Sequence, residues 1–390
     1  MSQGIQATPV LSNHELTQLI EWRRELHMYP EVSGEEAETA ARVLNMLKPS
    51  KPDEVVPGLG GHGVAAVYDS GAPGPTVMLR CELDALPIEE VGAPAYKSTI
   101  AGKGHLCGHD GHMAILAAVA GWLGRMRPER GRVILLFQPA EEDGSGAQKV
   151  LDDPRFEGLA PDYAFALHNF PGLPLGHAAL AAGPMNCASR GMKAKLHGRT
   201  SHASEPENGV SPAQALAQLL EQLPRLGTGG DVTDPAFSLA TVTHARLGEP
   251  AFGVAPGYGE IWVTLRTQKD ATMEALVASA EAAVAAAAKA GRLGHETSYE
   301  DVFHHCENDP EATALLVDAL EKAAVPIEEW ALPMRASEDF GGCARSAMFL
   351  LGSGTDSPSL HNPDYDFPDS LIETGARVFI QLLRGLCFKN

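Results

Sequence analysis

Four short segments of the chain, 63–68, 76–80, 132–137 and 163–167, are near-continuous in Val, Leu, Ile, Ala and Phe. A strand with no polar face must be buried on both sides. A mostly parallel sheet covered by helices on both faces meets that condition. The helical run 113–123 lies between the second and third segments, where a parallel pair needs its crossover. Two helices are predicted ahead of the sheet: 14–28, with Ser12 or Asn13 as its cap, and 34–47. At 390 residues and 44% hydrophobic, the chain is too long for one typical domain and fits two.

Three of these segments have polar carboxyl ends: Cys81-Glu82-Leu83-Asp84, then Gln138-Pro139-Ala140-Glu141-Glu142, then His168-Asn169. Open α/β sheets bind ligands in the crevice outside those ends, so distant residues converge there. Before the run 113–123 stands His105-Leu106-Cys107-Gly108-His109-Asp110-Gly111-His112. Cys and His hold borderline-soft divalent metals. Spaced by two, Cys107 and His109 both point inward from a loop that enters a helix. The pair Glu141-Glu142 divides its work: one carboxylate ligates metal, and the other takes a proton from water and hands it to a leaving nitrogen. His168 and His361, the latter in the loop Ser359-Leu360-His361-Asn362-Pro363, gain meaning by agreeing with these positions. Glu82 and Asp84 read as carboxylates that orient ligands, and Asp84 is counted with the catalytic group.

The pattern changes near Ala188. A strand (190–196), a helix (211–223), two strands (239–246, 260–266), an Ala-rich helix (273–289) and a last strand (295–302) follow. The order β-α-β-β-α-β is that of a ferredoxin-like unit. His361 lies beyond it, so the unit reads as an insertion. The expected boundaries are 1–187 with 304–390 for the catalytic metal-binding domain and 188–303 for the inserted domain. Within the insert, His202 is a candidate catalytic residue, and Arg266 and Gly253 are candidate substrate contacts. In His304-His305-Cys306, alternation along a strand lets only His304 and Cys306 share a face, so this cluster is taken as structural.

Composition excludes other classes. A formal net charge of −20 offers no basic surface for nucleic acid. No apolar run reaches the roughly 20 residues of a membrane span. The first 15 residues lack the basic-then-apolar plan of a signal peptide. Six cysteines without a CxxC pair suit reduced thiols, and a cytoplasmic setting is expected. There is no GxSxG elbow, P-loop or GxGxxG turn to support serine or nucleotide chemistry.

Several motifs together resemble one family: Trp22-Arg23-Arg24-Glu25-Leu26-His27 with Pro30-Glu31, RCELDALPI from Arg80, HLCGHDGH, and QPAEE. To these add His202-Ala203 with Pro206, Ser337-Glu338-Asp339-Phe340, and LHNPDYDF. They resemble the metal-dependent amidohydrolases that include hippurate hydrolase, bacterial aminoacylases and plant auxin–amino acid conjugate hydrolases, relatives of carboxypeptidase G and succinyl-diaminopimelate desuccinylase. The resemblance implies a catalytic α/β domain and a ferredoxin-like lid that also dimerises. It implies two divalent ions held by Cys107, His109, Glu142, His168 and His361, with the cysteine between them. It further implies Glu141 as general base and a His202 that reaches the partner subunit's site and stabilises the oxyanion. Cys and His suit Zn, Co or Ni, and the carboxylate also tolerates Mn.

Two departures fall on the substrate side. Relatives carry Asn-Val-Ile-Pro where this chain has Gly253-Val254-Ala255-Pro256, and a Tyr-Pro-Pro region where it has Phe303-His304-His305-Cys306. The expected reaction is hydrolysis of the amide bond of a small N-acyl or N-aroyl amino acid, by attack of a metal-bridging water with Glu141 as base. The alternatives are hydrolysis of another C–N bond, such as that of an aromatic amine, and a metal-binding protein without catalysis. Glu141 and His202 disfavour the last, because mere binding needs neither.

Overall fold

Helix α1 (Asn13–Met28) begins with a reciprocal cap. Ser12 Oγ accepts from the Glu15 N–H, and the Glu15 carboxylate accepts from the Ser12 N–H. The computed structural model describes residues 9–342 and 344–389, so Cys343 and the first eight residues of the N-terminal stretch lie outside the described residues. After α1 come α2 (Ala37–Leu47), β1 (Glu54–Leu59), β2 (Gly63–Asp69), β3 (Thr76–Glu82), α3 (His109–Arg125), β4 (Arg132–Gln138), β5 (Tyr163–Pro171) and the short β6 (Ala178–Ala179). A second series follows: β7 (Ala188–His197), α4 (Ala213–Gln222), β8 (Ser238–Leu247), β9 (Tyr258–Thr267), α5 (Asp270–Gly291) and β10 (Gly294–Phe303). The chain closes with α6 (Pro310–Lys322), β11 (Arg345–Gly354) and α7 (Leu371–Cys387).

The large sheet has the order β1-β2-β4-β3-β5-β11-β6. Its centre is parallel: β4 with β3, β3 with β5, and β5 with β11. The β1–β2 edge departs from the parallel reading, because β2 runs antiparallel to both β1 and β4. The cause is chain length. Parallel neighbours need a crossover of a dozen or more residues, and the links from β1 to β2 and from β2 to β3 are short loops. The sheet is buried as expected; Val64, Val77, Leu79, Val133, Leu135, Phe137 and Phe165 are all fully enclosed. On α1 the buried stripe is Leu19, Trp22, Arg23, Leu26 and His27. It has helical spacing, yet it places an arginine and a histidine in the core.

The described residues fall into two compact units. Met1–Met185, Glu307–Trp330 and Asp339–Asn390 form one; Asn186–Cys306 and Ala331–Glu338 form the other. The second unit holds an antiparallel sheet of order β8-β9-β7-β10. Its helices bury Leu216 and Leu219 of α4 and Met273, Leu276, Ala280 and Val284 of α5, in one cluster with Met192, Ile261, Val263 and Leu265 of the sheet. Helix α5 amends one expectation: by length and composition it is apolar enough to cross a membrane. Its buried face belongs to this cluster. Cys81, Cys107, Cys187, Cys306 and Cys387 are buried and form no disulfide among the described residues.

Candidate metal centre

Tight backbone geometry sets the donors. Gly108, the residue before α3, has φ +91°, and a Cβ there would stand 2.2 Å from Asn169 Oδ1, so only glycine fits. Gly111 is pressed against Phe367, whose ring would lie 2.3 Å from an added Cβ. Ala140, just before the glutamate pair, adopts φ +50°. Its N–H donates to Glu36 Oε1 at 2.8 Å and its carbonyl accepts from the Gly146 N–H at 2.9 Å. A strained residue held this firmly fixes the direction in which Glu141 and Glu142 leave the strand.

The donors from these separate segments meet. Cys107 Sγ lies 3.5 Å from His168 Nε2. His109 Nε2 is 3.8 Å from Glu141 Oε2 and 3.8 Å from Glu142 Oε1. His361 Nε2 is 3.5 Å from Glu142 Oε2. Two overlapping triads result, Cys107–His109–His168 and Cys107–Glu142–His361, each with ligand atoms within 4.8 Å of one another. Cys107 is common to both. His168 sits inside its strand rather than at its end, because β5 runs on to Pro171 beside β11.

Outer hydrogen bonds aim these rings. His168 Nδ1 donates to the Asn169 carbonyl at 2.8 Å, which leaves the Nε2 lone pair facing Cys107. His109 Nδ1 donates to the Asp84 carbonyl at 2.9 Å. The Asp84 carboxylate accepts from the Glu142 N–H at 2.9 Å and from Ser33 at 2.7 Å. His112 accepts at Nε2 from the Asn169 N–H and donates at Nδ1 to Glu82. Glu82 in turn pairs with buried Arg80.

The donor set fits a divalent cation. Among the described residues, His109 Nε2 and Asp84 Oδ1 are buried without a hydrogen-bond partner. Burial pushes the His109 pKa down, yet Asp84, Glu82 and Glu142 outweigh it and raise it to about 10. Ligation at Nε2 requires the neutral ring, so a metal ion and a proton would compete for this nitrogen. Burial lowers His168 to about 3, so that ring is neutral. Burial, then Glu142 and Glu141, push the Cys107 thiol well above its ordinary value.

The remaining candidates lie in the second unit. His202 is exposed, and its Nδ1 accepts from the Ser204 N–H at 3.1 Å and lies 2.6 Å from Ser204 Oγ. Its strand partner is Val254, and the Gly253 carbonyl accepts from the Ala203 N–H at 3.1 Å. Gly253 and His202 therefore occupy one pair of bonded loops. Arg266 lies on β9, an interior strand rather than an edge, and donates to the Arg335 carbonyl and Ser337 Oγ, each at 2.9 Å. The alternation argument for His304-His305-Cys306 does not hold. β10 ends at Phe303, and both His304 Nδ1 and His305 Nδ1 face Asp270 Oδ2, at 3.0 and 3.1 Å.

Several supporting residues carried no individual role in the sequence reading: Glu36, Gln138, Asn169 and Tyr365. Asn169 Nδ2 donates to Tyr365 OH at 2.7 Å, and Gln138 donates to Asp339. QPAEE and LHNPDYDF contained two of them but did not say what they touch.

A cysteine, three histidines and paired carboxylates gathered from four segments are the donor set of a metal-dependent hydrolase. Residues 78–385 match the model of Peptidase family M20/M25/M40, and the chain belongs to that family. It is similar to N-acetyl-L-cysteine deacetylase of Bacillus subtilis (strain 168), at 34% identity over 324 residues, 83% of this chain and 76% of the relative. It is also similar to N-acetyldiaminopimelate deacetylase of Leuconostoc citreum (strain KM20), at 28% identity over 366 residues, 91% and 92% of the two chains. A solved dinuclear metal-binding peptidase of the M20 family from Bacillus subtilis shares the fold, with TM-score 0.77 at 24% identity over 96% of this chain and 98% of that one. The chain is a metal-dependent amidohydrolase acting on amides other than peptide bonds.

Proposed function

We propose that this protein removes the acyl group from a small N-acyl amino acid or related amide. Two divalent ions are held by Cys107, His109, His168, Glu142 and His361, with Mn, Zn, Co and Ni as candidates for that donor set. The observation that carries the reading is the glutamate pair: Glu141 and Glu142 reach the same His109 nitrogen from adjacent positions. Ligation uses one carboxylate, and the other is left for proton transfer.

When bound, the ions polarise the scissile carbonyl and acidify water. Glu141 Oε2 takes the proton of the attacking water and passes it to the leaving nitrogen. His202 Nε2–H donates to the developing oxyanion of a neighbouring subunit's substrate. Asp84 holds His109 and the Glu142 main chain in place. Arg266 and the Gly253 loop face the substrate, and the second unit serves as lid and dimer contact.

The decisive experiment is Glu141→Gln. Metal content should stay at the wild-type level while kcat falls at least ~100-fold, the usual scale of general acid–base help. Loss of metal in that variant would mean that the two glutamates exchange or share their roles.

A further inference from the structure

Behind the donor set lies a buried guanidinium that the proposed mechanism does not use. Arg23, on the inner stripe of α1, is fully enclosed. Its Nε pairs with Asp110 at 2.8 Å, NH2 pairs with Asp366, and NH1 pairs with Asp369 at 3.4 Å. Its plane is flanked by Tyr96 and Phe367, with ring centroids 5.2 and 5.9 Å away. Asp110 is the residue after His109. Asp366 and Asp369 follow His361 on the segment that leads to α7. One side chain therefore grips both segments that supply the candidate ligands.

We infer that Arg23 is a positioning residue that sets His361 relative to Cys107 and His109, and so tunes the affinity of the ion that depends on His361. This rests on the proposed ligand set. His361 is the donor most in need of such support. Its side chain is 50% exposed and its backbone has φ +66°. Its segment touches the other directly through the His361 N–H to the Leu106 carbonyl, at 2.9 Å, and through Phe367 against Gly111. The charged clamp supplies the rest. Without Arg23, Asp110, Asp366 and Asp369 would lose the cation they share, and their mutual repulsion would drive the two segments apart. The outer side of the clamp has its own ties: Tyr96 OH donates to Asp366 at 2.6 Å, and Arg24 donates to Asp369 at 2.7 Å.

The test uses Asp366→Asn, which loosens only the His361 side of the clamp and leaves the Arg23–Asp110 pair. Its side chain is 33% exposed, so the variant folds more readily than one at Arg23 itself. Arg23→Lys, with a single ammonium in place of a fork, is the second variant. Metal-free proteins are titrated with Co²⁺ and followed by calorimetry and by the visible d–d and thiolate-to-cobalt bands. Both variants should weaken one of two binding events by at least 10-fold and leave the other within 2-fold. His361→Ala should lose the same event. The double variant Asp366→Asn/His361→Ala should bind no worse than His361→Ala alone, because both changes act through one side chain. Two wild-type affinities in folded Asp366→Asn, an equal loss of both events, or additive losses in the double variant each overturn the clamp. A His361→Ala protein that keeps both events overturns the ligand set on which the clamp depends.

Discussion

His109 gives its Nδ1 proton to the carbonyl oxygen of Asp84, 2.9 Å away, while the carboxylate of the same aspartate accepts from the Glu142 N–H, also at 2.9 Å. One residue thereby aims a ring nitrogen and a neighbouring carboxylate at a common point. Second partners of this kind fix the tautomer and orientation of metal-binding histidines, and changing them typically costs 10–100-fold in affinity or activity.

Chelation should therefore abolish amide hydrolysis, and Mn, Co, Ni or Zn should restore it. Cys107→Ser should bind metal more weakly than wild type, since a thiolate common to both triads becomes a neutral hydroxyl. Full turnover in protein stripped of metal, checked by elemental analysis, would rule out a metal-dependent reaction.

His27 predicts a pH dependence of stability. Burial lowers its pKa, but Asp110 and then Glu90 dominate and raise it from 6.5 to about 9. The folded protein thus holds this proton more tightly than the unfolded chain. The gain is complete below about pH 6.5 and disappears as pH rises through about 9. It is on the order of 3 kcal/mol. Urea unfolding of metal-free protein at pH 6 and pH 10 should show a larger fall for wild type than for His27→Gln. Parallel losses in the two proteins would contradict this account.

Gly253 has nothing within 4 Å of the place a Cβ would occupy, and its φ lies outside the left-handed region, so asparagine fits there. Gly253→Asn should improve kcat/KM for N-acyl amino acids by about 10-fold, the scale of one hydrogen bond to a charged group. The ranking of a substrate panel should shift toward acids of that kind. An unchanged ranking would remove the position from the substrate contacts.

Glu141→Gln and His202→Ala should each be nearly inactive alone. Co-refolded, they should regain activity if sites are completed across a two-fold interface, because one site of the heterodimer then contains both intact residues. Mixed dimers that stay at the level of their parents would place His202 within its own chain, or outside the chemistry.

The central strands were legible because apolar continuity is a direct consequence of burial on both faces. The candidate donors were legible because Cys107, His109 and the carboxylate pair lie at a helix start and just past a strand end, whereas His168 lies inside β5. Strand direction was not: apolar pattern is the same for β2 in either direction, and only the short links rule out a parallel neighbour. Arg23 and His27 were hidden for a different reason. On a helix, charged residues at core spacing look like a solvated face unless their partners are known, and Asp110, Asp366 and Asp369 lie far away in sequence. The left-handed Ala140 also leaves no sequence mark, since its conformation is imposed by Glu36 and Gly146.

His168 is the register partner of Leu350, in the parallel pair β5–β11, and the whole second series of elements lies between them in the chain. During synthesis, β5 waits with one edge open until β11 has left the ribosome. The intervening residues have their own core and can fold first. His361 follows β11, so the Cys107–Glu142–His361 triad closes only after this non-local pairing, which contact-order reasoning makes slow, whereas Cys107, His109 and His168 all precede β11 in the chain. Completion of the His361 triad thus belongs late in folding, and a nascent or truncated chain that lacks β11 and the segment after it would be unable to hold the full complement of ions.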